Sequence, residues 1–235
     1  MRTYNKTVKT KRVSKVSIRS DAGRPSLRPR IVEAARGLFL SRGFVRVTAD
    51  DIAGELGISK ATLYKEFASK EDILRAVVRD IMAEIVARVD AIIKNDEQSF
   101  VERLVALFAF VGGRLSLLGP VFLRDIEKSA PAIWREIEDF RRDKLLTNFK
   151  VILAAGHEQG LFRGDIDDDL LMGMFIRLVE GFVNPAEMLR SGRTPTETFE
   201  SVIKVFFQGI LTDKGRLDFS SGTPGLFEPR KEGAS

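Results

Sequence analysis

The sequence predicts an all-α protein: a three-helix, N-terminal helix-turn-helix head joined to a helical body. Three observations predict it. Between Thr48 and Leu74, in the stretch TADDIAGELGISKATLYKEFASKEDIL, two short helical patterns meet at Gly57. From about Lys70 to Ile93, one face carries Ile73, Val77, Ile81, Ile85, Val89 and Ile92, the period of a long amphipathic helix. Beyond it, apolar side chains keep helical spacing in segment after segment until about Leu211.

Taken in order, residues 1–23 are polar and basic, with Arg2, Lys6, Lys9, Lys11, Arg12, Lys15 and Arg19 and no apolar period. They read as a disordered tail, open either to DNA contact or to no specific role. The head is expected over 24–70. Its first helix starts near Pro29, a residue preorganised for the first helical position. Ile31, Ala34, Ala35, Leu38 and Phe39 form its buried stripe, Gly43 ends it, and Phe44 and Val47 staple it to the helix-turn-helix. Thr48 is an N-cap, and Asp51, three residues on, is a partial match to a capping box that favours Glu or Gln. Ile52, Ala53 and Leu56 face inward, and Gly57 sits where a left-handed residue closes the helix. Ser59 caps the second helix, whose Leu63 and Phe67 point inward and whose Lys60, Ala61 and Thr62 are left outside. Ser69 opens the next helix with Lys70 at its N-terminus, a place suited to phosphate. Two short helices joined this way are a helix-turn-helix, whose second helix enters the DNA major groove.

From about Arg30 through Leu74 the residues resemble the tetracycline-repressor (TetR) family of bacterial transcriptional regulators. Ala34-Ala35, Leu38-Phe39, Gly43, Thr48, Asp51-Ile52-Ala53, Gly57, Ser59, Ala61-Thr62-Leu63-Tyr64, Phe67 and Ser69-Lys70-Glu71 are all in register. Glu66 departs from the pattern, since many members carry His or an aromatic residue there close to the DNA backbone; a carboxylate repels phosphate, so Glu66 is assigned no contact. The resemblance implies a homodimer on a near-palindromic double-stranded operator. Thr48, Ser59, Lys60, Ala61, Thr62 and Lys65 are then the groove or backbone contacts, and Tyr64 and Lys70 meet phosphates. It also implies a small-molecule effector bound in the body and, in most lookalikes, repression that the effector relieves.

The body is expected over 71–212. The run from Leu104 to Leu123 approaches a membrane span in length, but Arg114 falls within it and Pro120 breaks its end, so it reads as a buried helix. Gly112 and Gly113 leave open a kink, room for a ligand or close helix packing. A helix opened by Pro131 carries Trp134, Ile137, Leu145, Phe149, Ile152 and Leu153. In the loop after it, Asp165, Asp167 and Asp169 have EF-hand spacing, but Leu170 and Ile176 stand where Gly and Glu are required, so helix capping explains them better than calcium. His157 lies at a helix end, where a hydrogen-bonding role fits better than catalysis. Residues beyond 70 hold 14 of the 17 Phe and the single Trp, and Phe108, Phe122, Trp134, Phe149 and Phe175 are the candidates to line a cavity for an apolar or amphipathic effector. The helices over 168–190 and 195–211 resemble the family's four-helix dimer pair, with Phe175, Phe182, Phe199, Ile203, Phe206, Phe207 and Ile210 as interface candidates. Residues 213–235 read as a flexible tail.

Composition narrows the function. The 235 residues carry a net charge of +5, split as +10 over residues 1–70 and −5 beyond, a basic nucleic-acid end on a mildly acidic body. Cys is absent and His occurs once, which leaves no disulfide, thiol nucleophile or His-rich metal site, and no cofactor is expected. No P-loop, G-x-S-x-G or H-E-x-x-H is present, so no enzyme is predicted. The basic N-terminus lacks an apolar segment after it, so a bacterial cytoplasmic protein, nucleoid-associated through DNA and without membrane partners, is expected. A DNA-binding architectural protein without effector stays open as an alternative.

Overall fold

A computed structural model of the protein describes residues 26–117 and 120–222. Among them are the helices α1 (Leu27–Arg42), α2 (Ala49–Leu56), α3 (Lys60–Glu66), α4 (Lys70–Ile93), α5 (Phe100–Leu117) and α6 (Pro120–Ser129). The chain continues through α7 (Pro131–Glu158), α8 (Asp168–Phe182), α9 (Pro185–Ser191), α10 (Pro195–Ile210) and α11 (Asp213–Gly222). The basic tail expected over 1–23 lies outside the described residues. No single helix among those described is long and apolar enough to cross a membrane.

Local chemistry sets the helix ends. Thr48 accepts from Asp51 N at 3.1 Å while its own N–H donates to Asp51 Oδ2 at 2.7 Å. The capping box is therefore complete, because an Asp reaches back as well as the longer Glu. Gly57 adopts φ 63° and ψ 34°, the left-handed geometry that lets its N–H return to the Ala53 and Gly54 carbonyls. Ser59 and Ser69 cap α3 and α4 through Thr62 N and Asp72 N, each at 3.1 Å. Asp167 caps α8 through Leu170 N at 3.0 Å, and His157 Nε2 meets Asp168 Oδ1 at 2.9 Å. Capping therefore accounts for part of the acidic cluster.

The apolar side chains divide into two cores. One joins Ile31, Phe39, Ile52, Leu63 and Val77 of the head to Phe122, Ile126 and Ile133 from α6 and α7. The other fills the body, where Phe149 stacks on Phe175 at 4.4 Å and meets Phe206 and Phe207 edge-on. α4 contributes to both. The head core thus reaches well past residue 70, since a three-helix unit this small buries too little apolar surface by itself.

Several expectations are revised. The stretch from Leu104 to Leu123 is two helices, because α5 stops at Leu117 and Pro120 opens α6. Gly112 packs on α10, where the Thr196 hydroxyl donates to its carbonyl oxygen at 2.8 Å; of the roles considered, close packing is the one it fills. The chain after Thr212 does not fray at once: α11 buries Phe219 in the body core. One apolar ring is enough to dock a short polar helix, and nothing about its sequence period reveals that. Residues 223–235 of the expected tail lie outside the described residues.

Candidate functional site

The head presents α3 with Leu63 buried and Ala61, Tyr64 and Lys65 outward, Tyr64 being 42% exposed. Because α3 is only seven residues long, its orientation depends on its caps and on Leu63 and Phe67 beneath it. Arg28 adds a clamp that sequence reasoning missed: its guanidinium donates to the Glu66 carbonyl oxygen and lies 3.9 Å from the Phe67 ring centroid.

Other predicted contact residues have partners within the head. Lys60 Nζ donates to Asp50 Oδ2 at 2.8 Å, a solvent-exposed pair that a phosphate could replace. The Ser59 and Thr62 hydroxyls bond each other at 2.8 Å, and Thr48 Oγ1 donates to Asp51 Oδ2 at 2.6 Å. Lys70 is turned inward. Its ammonium donates to the Phe44 and Val47 carbonyl oxygens at 3.0 and 2.9 Å and sits 4.3 Å from the Phe44 ring centroid. Burial pushes its pKa down, and Asp125 opposes that shift. Two of its three donors thus hold the loop between α1 and α2.

A cavity of about 240 Å³ lies in the body. Val78, Ile81 and Ile85 of α4 form one wall, and Phe108, Phe149 and Phe175 come from α5, α7 and α8. Phe122 also lines it, while Trp134 does not: it packs on the head core, because the face of α7 it occupies is turned toward the junction. Phe122 is 2% exposed and belongs to the head core as well as to the cavity wall. Polar links run alongside it. Asp125 Oδ2 accepts from Val45 N at 3.2 Å, joining α6 to the loop before α2. Glu84 Oε2 accepts from Arg36 Nη2 at 2.8 Å and from Arg114 Nη2 at 3.2 Å, joining α1, α4 and the cavity-lining α5. None of these long-range pairs has a signal in the sequence.

Among the dimer candidates, Phe175, Phe199, Ile203, Phe206, Phe207 and Ile210 are buried inside the protomer's own core. α10 packs against both α5 and α8, so these six side chains are covered within the protomer. Phe182 alone of that set is exposed, at 47%; Leu170 and Met174 of α8 and Val205 of α10 are exposed as well.

Residues 31–77 match the model of bacterial regulatory proteins of the tetR family. The HTH-type transcriptional repressor KstR2 of Mycobacterium tuberculosis is 32% identical over 157 residues, which span 65% of this chain and 76% of the repressor. The chain belongs to the TetR family. An uncharacterised HTH-type regulator of Bacillus subtilis, YvaF, is 28% identical over 188 residues, covering 79% of this chain and 96% of YvaF. The solved ketosteroid regulator KstR2 of Mycobacterium tuberculosis superposes with a TM-score of 0.50 at 25% identity, over 81% of this chain and 97% of that structure. A TetR-family regulator from Mesorhizobium loti, at a TM-score of 0.59 and 19% identity over 79% of this chain and 96% of its own, shares the fold. As a TetR-family member, the protein is a DNA-binding transcriptional regulator, and its α2–α3 pair is the helix-turn-helix.

Proposed function

We infer that the protein is a homodimeric repressor whose grip on a near-palindromic operator is relieved by a small effector bound in the body cavity. The observation that carries this reading is the double position of Phe122, in the wall of the cavity and in the core of the head. A ligand that moves α6 disturbs the head core that Phe122 shares and the contact of α6 with α1, because close-packed interiors switch between arrangements and do not deform smoothly. The Asp125 and Glu84 links give the same motion a polar route. Repression is the direction supported by the relative named as a repressor.

In this reading Thr48, Ser59, Lys60, Ala61, Thr62, Tyr64 and Lys65 approach the groove or its backbone, and Lys70 touches phosphate with its remaining donor. The pairing of two heads uses the outer face of α8 and α10, where Gly173, Gly181 and Gly209 have nothing within 4 Å of a Cβ position, so a partner helix could come close. The test is selection of bound fragments from genomic DNA by the purified protein, followed by titration of candidate effectors against the enriched duplex. Two symmetric half-sites with fixed spacing, released by an effector, are expected. Binding indifferent to sequence and to every compound would instead identify an architectural protein.

A further inference from the structure

The cavity is apolar over most of its wall, yet three of its lining side chains, Arg114, Arg141 and Lys144, are basic and none is acidic. Arg114 is held by Glu84 at 3.2 Å, and Lys144 lies 3.8 Å from Asp143. Arg141 is different. Its Nη1 donates to the Val183 carbonyl oxygen at 2.9 Å, but its Nε is buried with no hydrogen-bond partner among the described residues. Glu180 and Glu138 act on it only through longer-range attraction, and Glu180 is taken by Arg142 at 2.9 Å. A guanidinium stays protonated even where burial pulls its pKa down, as it does here. A buried charge with an idle donor is costly unless something completes its shell.

The neighbours of Arg141 on the same face of α7 continue the pattern. Lys144 follows one turn on and Asn148 two turns on, interleaved with Leu145 and Phe149, and all of them line the cavity. The wall is therefore overwhelmingly apolar, and Arg114, Arg141, Lys144 and Asn148 are the charged or amide side chains among the described residues that border it.

We propose that the effector is an amphipathic anion, with an apolar body filling the cavity and one carboxylate-like oxyanion seated on Arg141, with Lys144 beside it. This rests on the reading that the cavity holds the effector, and it adds the chemical class. A planar guanidinium in a largely apolar site binds a carboxylate strongly and in a defined orientation, while the shape of the apolar body selects among such acids.

The experiment uses the full chain, with dodecanoate, dodecanol and dodecyltrimethylammonium as probes. Displacement of anilinonaphthalene sulfonate from the protein is measured for each, and each is also titrated against the selected operator. Dodecanoate should bind roughly tenfold or more tighter than the alcohol, with the cation weakest. Arg141→Met, an apolar replacement of similar length, should weaken dodecanoate roughly 10- to 100-fold and leave dodecanol within about twofold. Arg141→Lys should keep most of the preference for the acid. Equal binding of acid and alcohol by the unmodified protein overturns the proposal without any variant, as does an Arg141→Met protein that still prefers the acid. If the alcohol binds and releases DNA as well as the acid does, the effector reading survives and the anion inference fails. If no probe binds, both fail.

Discussion

Arg36 and Glu84 form a forked pair across the head-to-body junction: Nη1 and Nη2 of the α1 arginine both donate to the α4 carboxylate, Nη2 at 2.8 Å. Arg114 of α5 shares that carboxylate at 3.2 Å. The Arg36 hydrogen bond holds the Glu84 carboxyl below its ordinary range, with desolvation opposing. A depressed carboxylate pKa means that the unfolded chain takes up protons first on acidification, so the pair's contribution is present at neutral pH and is lost as pH falls below about 4. Glu84→Gln should lower stability by about 1 kcal/mol at neutral pH. Urea denaturation at neutral and at acidic pH checks this, and the difference between variant and parent should shrink at the acidic end.

Tyr64 and Lys70 separate binding from stability. Tyr64 is exposed and its hydroxyl is outside the core, so Tyr64→Phe should change stability by less than about 0.5 kcal/mol and weaken binding to all duplexes alike. Lys70→Ala should cost about 1–3 kcal/mol, because the part-buried carbonyls of Phe44 and Val47 lose their donor. Mobility-shift titrations on selected and scrambled duplexes, beside urea curves, distinguish the two outcomes.

Gly156 marks a close approach of α7 to the turn after it. A Cβ there would stand 2.1 Å from Phe162 Cδ2, a ring held in the body core by Phe100 and Phe207. Gly156→Ala should therefore destabilise the body by about 1–3 kcal/mol, although alanine is the better helix former. A rise in thermal midpoint would refute the packing argument.

The outer face of α8 gives a prediction for assembly. Met174 is exposed and flanked by the bare backbone of Gly173. If the proposed dimer forms through this face, Met174→Glu should leave each protomer folded, shift sedimentation from dimer to monomer and weaken operator binding, since two linked heads gain effective concentration that one lacks. Circular dichroism checks the first outcome.

Features set by neighbours in sequence could be read along the chain. The caps at Thr48, Ser59 and Ser69, the left-handed Gly57, the inward Leu63 and Phe67 and the long stripe of α4 each come from a period or a cap spanning a few residues. The chemistry of the helix-turn-helix lies within that range, which is why its outer residues were legible. Burial was legible in degree but not in direction. The apolar faces of α8 and α10 pointed to Phe199, Phe206 and Phe207 as buried, yet periodicity does not say whether a helix of the same chain or of a second copy covers them.

The sequence by itself determined the helical class, the helix-turn-helix and the basic head, because these depend on residues within a turn or two of one another. Tertiary structure alone decided that Lys70 faces two carbonyls, that Phe122 serves two cores, that Glu84 joins α1 to α5 and that Arg141 sits in the cavity wall with an idle donor. Each of those pairings spans tens of residues, and at such distances the partner of a side chain is chosen by how whole helices pack, a choice that no local pattern encodes.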